Sequence, residues 1–275
     1  MNACTFIPGY KSNVEDGMLE MEKRIPIGLQ LYTLRNELQQ DFWGTLNRVS
    51  EMGYETVEMA GYYGLSAKEL KEGLREIGLT AISSHVGFSR LNENLEEEIL
   101  YAKELGISYL VCPYLAPEQL EKKEERRKVA LALKQIAEKC REHGLMFAYH
   151  NHAHEMKEEE GKRILDRLFE EADASSLQAE LDLYWVKKGE ADPMELMERY
   201  KSRLHLLHIK DMAPDEEKSF AEVGQGIMDY PSIFAKALEY GVRHYIVEQD
   251  LCKRPPLQSV EMSIQYLKSL GLTAK

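Results

Sequence analysis

Eight short apolar runs recur along residues 25–275, and each is followed by a stretch of helical composition. Five of those stretches stop at a glycine: Gly53, Gly78, Gly106, Gly144 and Gly241. Neighbouring parallel strands need a long crossover between them, usually a helix, so this alternation predicts a parallel sheet. The strands read from the sequence cover residues 27–34, 56–60, 80–85, 109–112, 145–149, 177–182, 205–209 and 245–248. Helices are expected over 42–52 behind an Asp41 cap, 67–77 behind a Ser66 cap, 95–105, 120–143, 163–172, from Asp192-Pro193, 230–240 and 259–270. Eight βα units point to an α/β fold that closes as a single (β/α)₈ TIM barrel rather than an open sheet. No linker or shift of composition divides residues 25–275. Residues 1–24 are polar and aperiodic, and read as an N-terminal extension outside the barrel.

The strongest chemical signal lies at the fifth strand. The run Leu145-Met-Phe-Ala-Tyr149 leads directly into His150, His152, His154 and Glu155. Strand side chains alternate, so His150 and His152 share one face, with Tyr149 and Asn151 on the other. In a parallel barrel the site forms at the C-terminal strand ends. Read in order, those ends carry Gln30 and Tyr32, Glu58, His85, Cys112, His150 with His152, Asp182, His208 with Lys210, and Glu248 with Gln249. A core strand should not end in a charged group that lacks a partner. A single such residue means little, but a metal- or proton-competent side chain at most of the strand ends forms a constellation. His150, Asp182, His208 and Glu248 come from four consecutive strands, about 4.8 Å apart from one to the next, and can converge on one ion. Two imidazoles and two carboxylates suit Mn²⁺, Zn²⁺, Co²⁺ or Mg²⁺ better than a soft metal. Lys210 shares a face with His208. It would stabilise a developing oxyanion or bind a phosphate, unless a salt bridge to Asp211 or Glu180 occupies it. Trp185, Tyr32 and Phe88 would form an apolar floor under a bound substrate, and Gly224-Gln-Gly226 reads as a flexible loop over the site.

Composition narrows the partners. With 35 basic and 47 acidic residues the net charge is −12, which repels a phosphate backbone and argues against nucleic acid. Hydrophobic residues make up 44% of the chain, enough for a full core. No apolar run has membrane-spanning length and no apolar signal core opens the chain, so no membrane partner is expected. Cys4, Cys112, Cys140 and Cys252 lack CxxC spacing, which predicts a reducing, cytoplasmic compartment. The sequence leaves the oligomer open, a homo-oligomer included.

Several motifs together resemble a known family. They are Gly28-Leu-Gln-Leu-Tyr-Thr-Leu-Arg35, Val57-Glu-Met-Ala-Gly61, Tyr149-His-Asn-His152 with Glu155, Leu181-Asp-Leu-Tyr-Trp-Val186, Leu207-His-Ile-Lys-Asp211, Gly224-Gln-Gly226 with Asp229, and Ile246-Val-Glu-Gln-Asp250. From about Ile25 onward the chain resembles the xylose isomerase-like TIM barrels, specifically sugar phosphate isomerases/epimerases related to tagatose epimerase and endonuclease IV. The resemblance implies a metal held by a Glu, Asp, His and Glu from the last four strands. Asp182, His208 and Glu248 match the last three, and His150 stands where the family has the first Glu. In the tagatose epimerase type the first and last Glu act as bases on opposite faces of the sugar, and only Glu248 keeps that role here. A second base would be His152 or Glu155, or His85 on the far side.

The expectation is therefore a metal-dependent isomerase or epimerase acting on a monosaccharide or keto-sugar through an enediolate. Glu248, His152, Glu155 and Lys210 would be catalytic, and Gln30, Tyr32, Glu58, His85 and Trp185 would bind substrate. The alternatives are a lyase or dehydratase acting on a 3-keto-glycoside or inosose, an endonuclease IV-like DNA-repair enzyme, and a sugar-binding barrel without catalysis.

Overall fold

The structure, a computed structural model, describes residues 25–273. The expected extension, residues 1–24, lies outside them. Eight parallel strands close into a barrel: β1 Ile27–Gln30, β2 Thr56–Ala60, β3 Thr80–His85, β4 Tyr109–Cys112, β5 Met146–His150, β6 Leu177–Asp182, β7 Leu204–Ile209 and β8 His244–Val247. The ring runs β1-β8-β7-β6-β5-β4-β3-β2 and closes between β2 and β1. The helices packed around it are α1 Phe42–Met52, α2 Ala67–Glu76, α3 Phe88–Leu105, α4 Lys123–Glu142, α5 Ile164–Glu170, α6 Pro193–Tyr200, α7 Tyr230–Glu239 and α8 Pro256–Ser269. This is the single (β/α)₈ barrel that the alternation predicts.

The local signals behave as their chemistry requires. Asp41 caps α1 by accepting from the Gly44 N–H at 3.0 Å, and Ser66 with Glu69 forms a capping box on α2. Gly53 ends α1 at φ 101°, a left-handed position where a side chain would be strained. The boundaries that differ have local causes. β1 stops at Gln30 instead of running to residue 34, because the Gln30 carboxamide oxygen accepts from the Tyr32 N–H at 2.9 Å and turns Leu31–Leu34 into a 3₁₀ turn. Helix α3 begins at Phe88, seven residues before the expected start, with non-helical dihedrals at Asn94 between its two parts.

The barrel interior has two levels. Ile82, Tyr109, Val111, Ala148, Leu206 and Ile246 form an apolar plug across the lower half. Two residues further along three of these strands, on the same inward face, stand His150, His208 and Glu248. Pairing register fixes their neighbours: His150 pairs with Glu180, Asp182 with His208, and Gln30 with Glu58. Layers of branched apolar residues usually fill such a barrel. Here the upper layer is polar and charged, and that layer positions the site.

Candidate active site

Four of the predicted residues meet. Ligand atoms of His150, Asp182, His208 and Glu248 all lie within 4.8 Å of one another, and all four residues are buried. His208 Nδ1 is 3.1 Å from Glu248 Oε2 and 3.9 Å from Asp182 Oδ2, and His150 Nε2 is 3.6 Å from the same Asp182 oxygen. Atoms that share an ion at about 2.1 Å stand about 3 Å apart when adjacent and about 4.2 Å apart when opposite. These three spacings fall in that window, and the nitrogen–oxygen donor set suits a divalent ion of borderline hardness. These residues fit the metal that the resemblance implies.

Asp182 also starts the short helix Leu183–Lys188, where its Oδ1 accepts from the Trp185 N–H at 3.0 Å. Its other oxygen, Oδ2, therefore faces the barrel axis. Lys210, fully buried, places its ammonium 2.8 Å from Asp182 Oδ2, 2.6 Å from Glu248 Oε2 and 2.8 Å from Asp250 Oδ2. The salt bridge to Asp211 or Glu180 weighed from the sequence does not form; these three carboxylates take the ammonium. Burial alone would raise the Glu248 carboxyl, but the Lys210 and His208 charges outweigh it and hold Glu248 well below the usual range. Burial and the neighbouring His208 and His152 rings push His150 down, so it is neutral. Burial and then the Lys210 charge push His152 down to about 3.

A cavity of about 370 Å³ opens above this cluster, lined by Tyr32, Ala60, His85, Pro113, Tyr114, His150, His152, Glu248 and Asp250. Tyr32 and His85 line it as the sequence suggested for substrate contacts. Gln30 and Glu58 do not. Both are fully buried one level down, where Gln30 Nε2 donates to Glu58 Oε1 at 2.8 Å. Trp185 is half-buried behind the wall, its ring 5.2 Å from that of His152. Phe88 opens α3 and is not among the lining residues.

Glu155 lies beneath the turn that carries His152 and is not among the residues lining the cavity. It is fully buried, accepts from the Tyr149 hydroxyl at 2.5 Å and from the His152 N–H at 2.9 Å, and so braces the turn that aims His152. The glycine loop is also not the flexible cover expected. The Asp211 carboxylate accepts from the N–H groups of Met212, Gly224, Gly226 and Met228 at 2.8, 2.9, 3.1 and 3.1 Å. A Cβ on Gly226 would meet Asp211 Oδ1 at 2.2 Å, so glycine there permits the close approach. Cys112, at the end of β4, is buried, burial pushes its thiol up to about 12, and it is not among the residues lining the cavity.

Sequence reading missed Glu180 as a site residue. It is fully buried on β6, two residues before Asp182 and on the same face, and that spacing was the available signal. His85 Nε2 lies 2.7 Å from Glu180 Oε2 and 3.0 Å from Glu58 Oε1. Burial opposes a charge on His85, but the two carboxylates outweigh it and raise it to about 10. Burial and then the Glu58 charge raise Glu180 to about 7. Asp250 on the cavity rim was missed too, because it lies beyond the last strand.

Among the described residues no helix is long and apolar enough to cross a membrane. Cys112, Cys140 and Cys252 are unbridged.

Comparison with known proteins agrees with this architecture. The model of the xylose isomerase-like TIM barrel family matches residues 46–270. An inosose dehydratase of Geobacillus kaustophilus is 27% identical over 266 residues, covering 82% of this chain and 86% of that protein. A sugar phosphate isomerase/epimerase structure from Parabacteroides distasonis superposes with a TM-score of 0.78 at 30% identity, covering 90% of this chain and 95% of the other. An IOLI protein described with a bound zinc atom shares the fold at 15% identity and a TM-score of 0.70, covering 90% and 98%. With the family model spanning most of the barrel, the chain belongs to the xylose isomerase-like TIM barrel family, an enzyme family.

Proposed function

We propose that this protein is a metal-dependent lyase that removes water from a keto-cyclitol of the inosose class or a related keto-sugar. One observation carries the choice of lyase over epimerase. Both carboxylates on the cavity wall, Glu248 and Asp250, follow β8, whereas β3 and β5, three places away in the ring on either side, contribute only imidazoles. Epimerisation needs two proton acceptors on opposite faces of the substrate. Elimination needs one acceptor and one donor. The 27% identity to an inosose dehydratase over most of both chains supports the same reading.

A divalent ion held by His150, Asp182, His208 and Glu248 would supply Lewis-acid polarisation of the substrate carbonyl, acidifying the adjacent C–H bond. Glu248, kept ionised by Lys210 and His208, accepts the proton from that carbon. His85 lines the cavity with Nε2 taken by Glu58 and Glu180, which leaves Nδ1 to give a proton to the hydroxyl departing from the next carbon. The hydroxyl leaves as water, and the electron pair of the broken C–H bond becomes the new carbon–carbon double bond. His152, neutral and aimed by Glu155, offers a ring nitrogen to a substrate hydroxyl. Tyr32 and Tyr114 flank the ring at the mouth.

Incubating the zinc- or manganese-loaded protein with an inosose decides the matter. A product lighter by one water, with the absorbance of a conjugated ketone, supports the lyase. An epimer of unchanged mass would overturn it and favour the isomerase/epimerase reading, which the 30% identity to the Parabacteroides distasonis protein keeps as the second candidate.

A further inference from the structure

Glu58 and Glu180 lie below the cavity and outside the proposed ligand set, yet both are fully buried acids in the barrel interior. Burying an acid without a purpose is costly. Their contacts fall on the far nitrogens of the two ligand histidines. Glu58 Oε1 lies 2.7 Å from His208 Nε2, while His208 Nδ1 faces Glu248. Glu180 Oε2 lies 3.1 Å from His150 Nδ1, while His150 Nε2 faces Asp182. Each imidazole thus turns one nitrogen up to the proposed ion and the other down to a carboxylate.

Distance decides what lies between these lower pairs. Two atoms on one ion at about 2.1 Å cannot approach closer than about 3 Å, whereas a charge-assisted N–H···O contact runs about 2.7–2.9 Å. His208 to Glu58 is 2.7 Å and His85 to Glu180 is 2.7 Å, so each of these contacts holds a proton; His150 to Glu180 is longer, at 3.1 Å, but shorter than the 3.6 Å from His150 to Asp182. Gln30 fixes Glu58 with a 2.8 Å hydrogen bond, and His85 ties Glu58 to Glu180. Glu58 and Glu180 sit on strands β2 and β6, opposite one another in the ring of eight.

We propose that Glu58 and Glu180 are positioning residues of the metal centre. Glu58 accepts Nε2–H of His208 and commits Nδ1 to the ion. Glu180 accepts Nδ1–H of His150 and commits Nε2. The two histidines therefore ligate through opposite ring atoms, set by carboxylates that touch neither substrate nor metal. The inference rests on the ligand set of the proposed function.

The test is zinc binding by the full chain, read by competition with a chromophoric chelator, together with ¹⁵N spectra of the histidine rings. Wild-type protein with zinc should show His208 metallated at Nδ1 and His150 at Nε2. Glu58→Gln and Glu180→Gln keep an oxygen acceptor and should bind zinc about tenfold more weakly; Glu58→Leu should approach a hundredfold. A purely structural role would not fix the tautomers or grade affinity by acceptor. Zinc bound with His208 through Nε2, or a folded Glu58→Leu of unchanged affinity, overturns the proposal alone. If Glu58→Leu fails to fold, the wild-type spectrum still decides. If wild-type protein binds no zinc, the ligand set falls and the positioning role with it.

Discussion

Lys210 Nζ stands 2.6 Å from Glu248 Oε2, the same oxygen that faces His208 at 3.1 Å. The ammonium is buried, and its three carboxylate partners come from the ends of β6 and β8. Lys210 and a divalent cation therefore draw on the same negative charge, and removing the lysine should act oppositely on the two states of the protein. In chelator, Lys210→Met leaves three acids without their ammonium, two of them fully buried, and should lower stability by about 3–5 kcal/mol. With zinc present, the melting temperature should rise further in the variant than in the wild type, since the ion no longer competes with a resident charge. Thermal unfolding with and without zinc reads both. Equal zinc-induced shifts would show that Lys210 does not share the site.

Asp182 has two jobs on its two oxygens, and substitutions separate them. Asp182→Asn keeps the oxygen that caps Leu183–Lys188 and removes the anion. It should lower zinc affinity by more than about a hundredfold, beyond what an outer-shell change does, with helix stability retained. Asp182→Ala should lose the metal and also about 1 kcal/mol from the missing cap. Zinc content after dialysis, together with unfolding in chelator, distinguishes them. Normal zinc binding by Asp182→Asn would remove this residue from the ligand set.

The fold was legible because its signals are local. β2, β3, β4 and β6 run over the predicted residues, since each is a buried run bounded by turns. The metal-competent residues were legible for a related reason: a charged group at the inner end of an apolar strand is conspicuous. The lower layer was not. Glu58 was read as a substrate contact because its strand end was known but its depth was not. Depth depends on register and on a bulge between Val57 and Glu58, and both are set by the partner strand. The surroundings of Glu155 were hidden in the same way. Its place in sequence beside three histidines says nothing of the Tyr149 hydroxyl that takes it.

The glycine loop makes the same point in testable form. Glycines suggested mobility, but Asp211 binds four backbone N–H groups across residues 212–228. In wild-type protein the amides of Gly224, Gly226 and Met228 should exchange slowly with solvent. Asp211→Ala leaves these donors unpaired and should cost about 3 kcal/mol or more, given 1.5–3 kcal/mol for one hydrogen bond to a charged group. The same amides should then exchange fast. Rapid exchange already in the wild type would restore the flexible-loop reading.

The last prediction concerns acid stability, away from the cavity. Asp166 on α5 is 6% exposed; its Oδ1 accepts from Arg199 Nε at 2.6 Å and from the Tyr200 hydroxyl at 2.5 Å, and its Oδ2 from the Arg163 N–H at 3.0 Å. Burial would raise this carboxyl, but the hydrogen bonds from Tyr200 and Arg199 outweigh it and lower it below the ordinary value. The sign follows from linkage. A group whose folded value is depressed stabilises the fold above its unfolded value, about 3.9, and that contribution is lost as pH falls through the folded value. Asp166→Asn should therefore destabilise the protein at pH 7 by about 1.5–3 kcal/mol, the worth of a hydrogen bond to a charged group. The gap between variant and wild type should narrow below about pH 4. Denaturant unfolding of both proteins from neutral to acidic pH measures the difference directly. A gap that stays constant on acidification would mean that the shape of Asp166, and not its charge, joins α5 to α6.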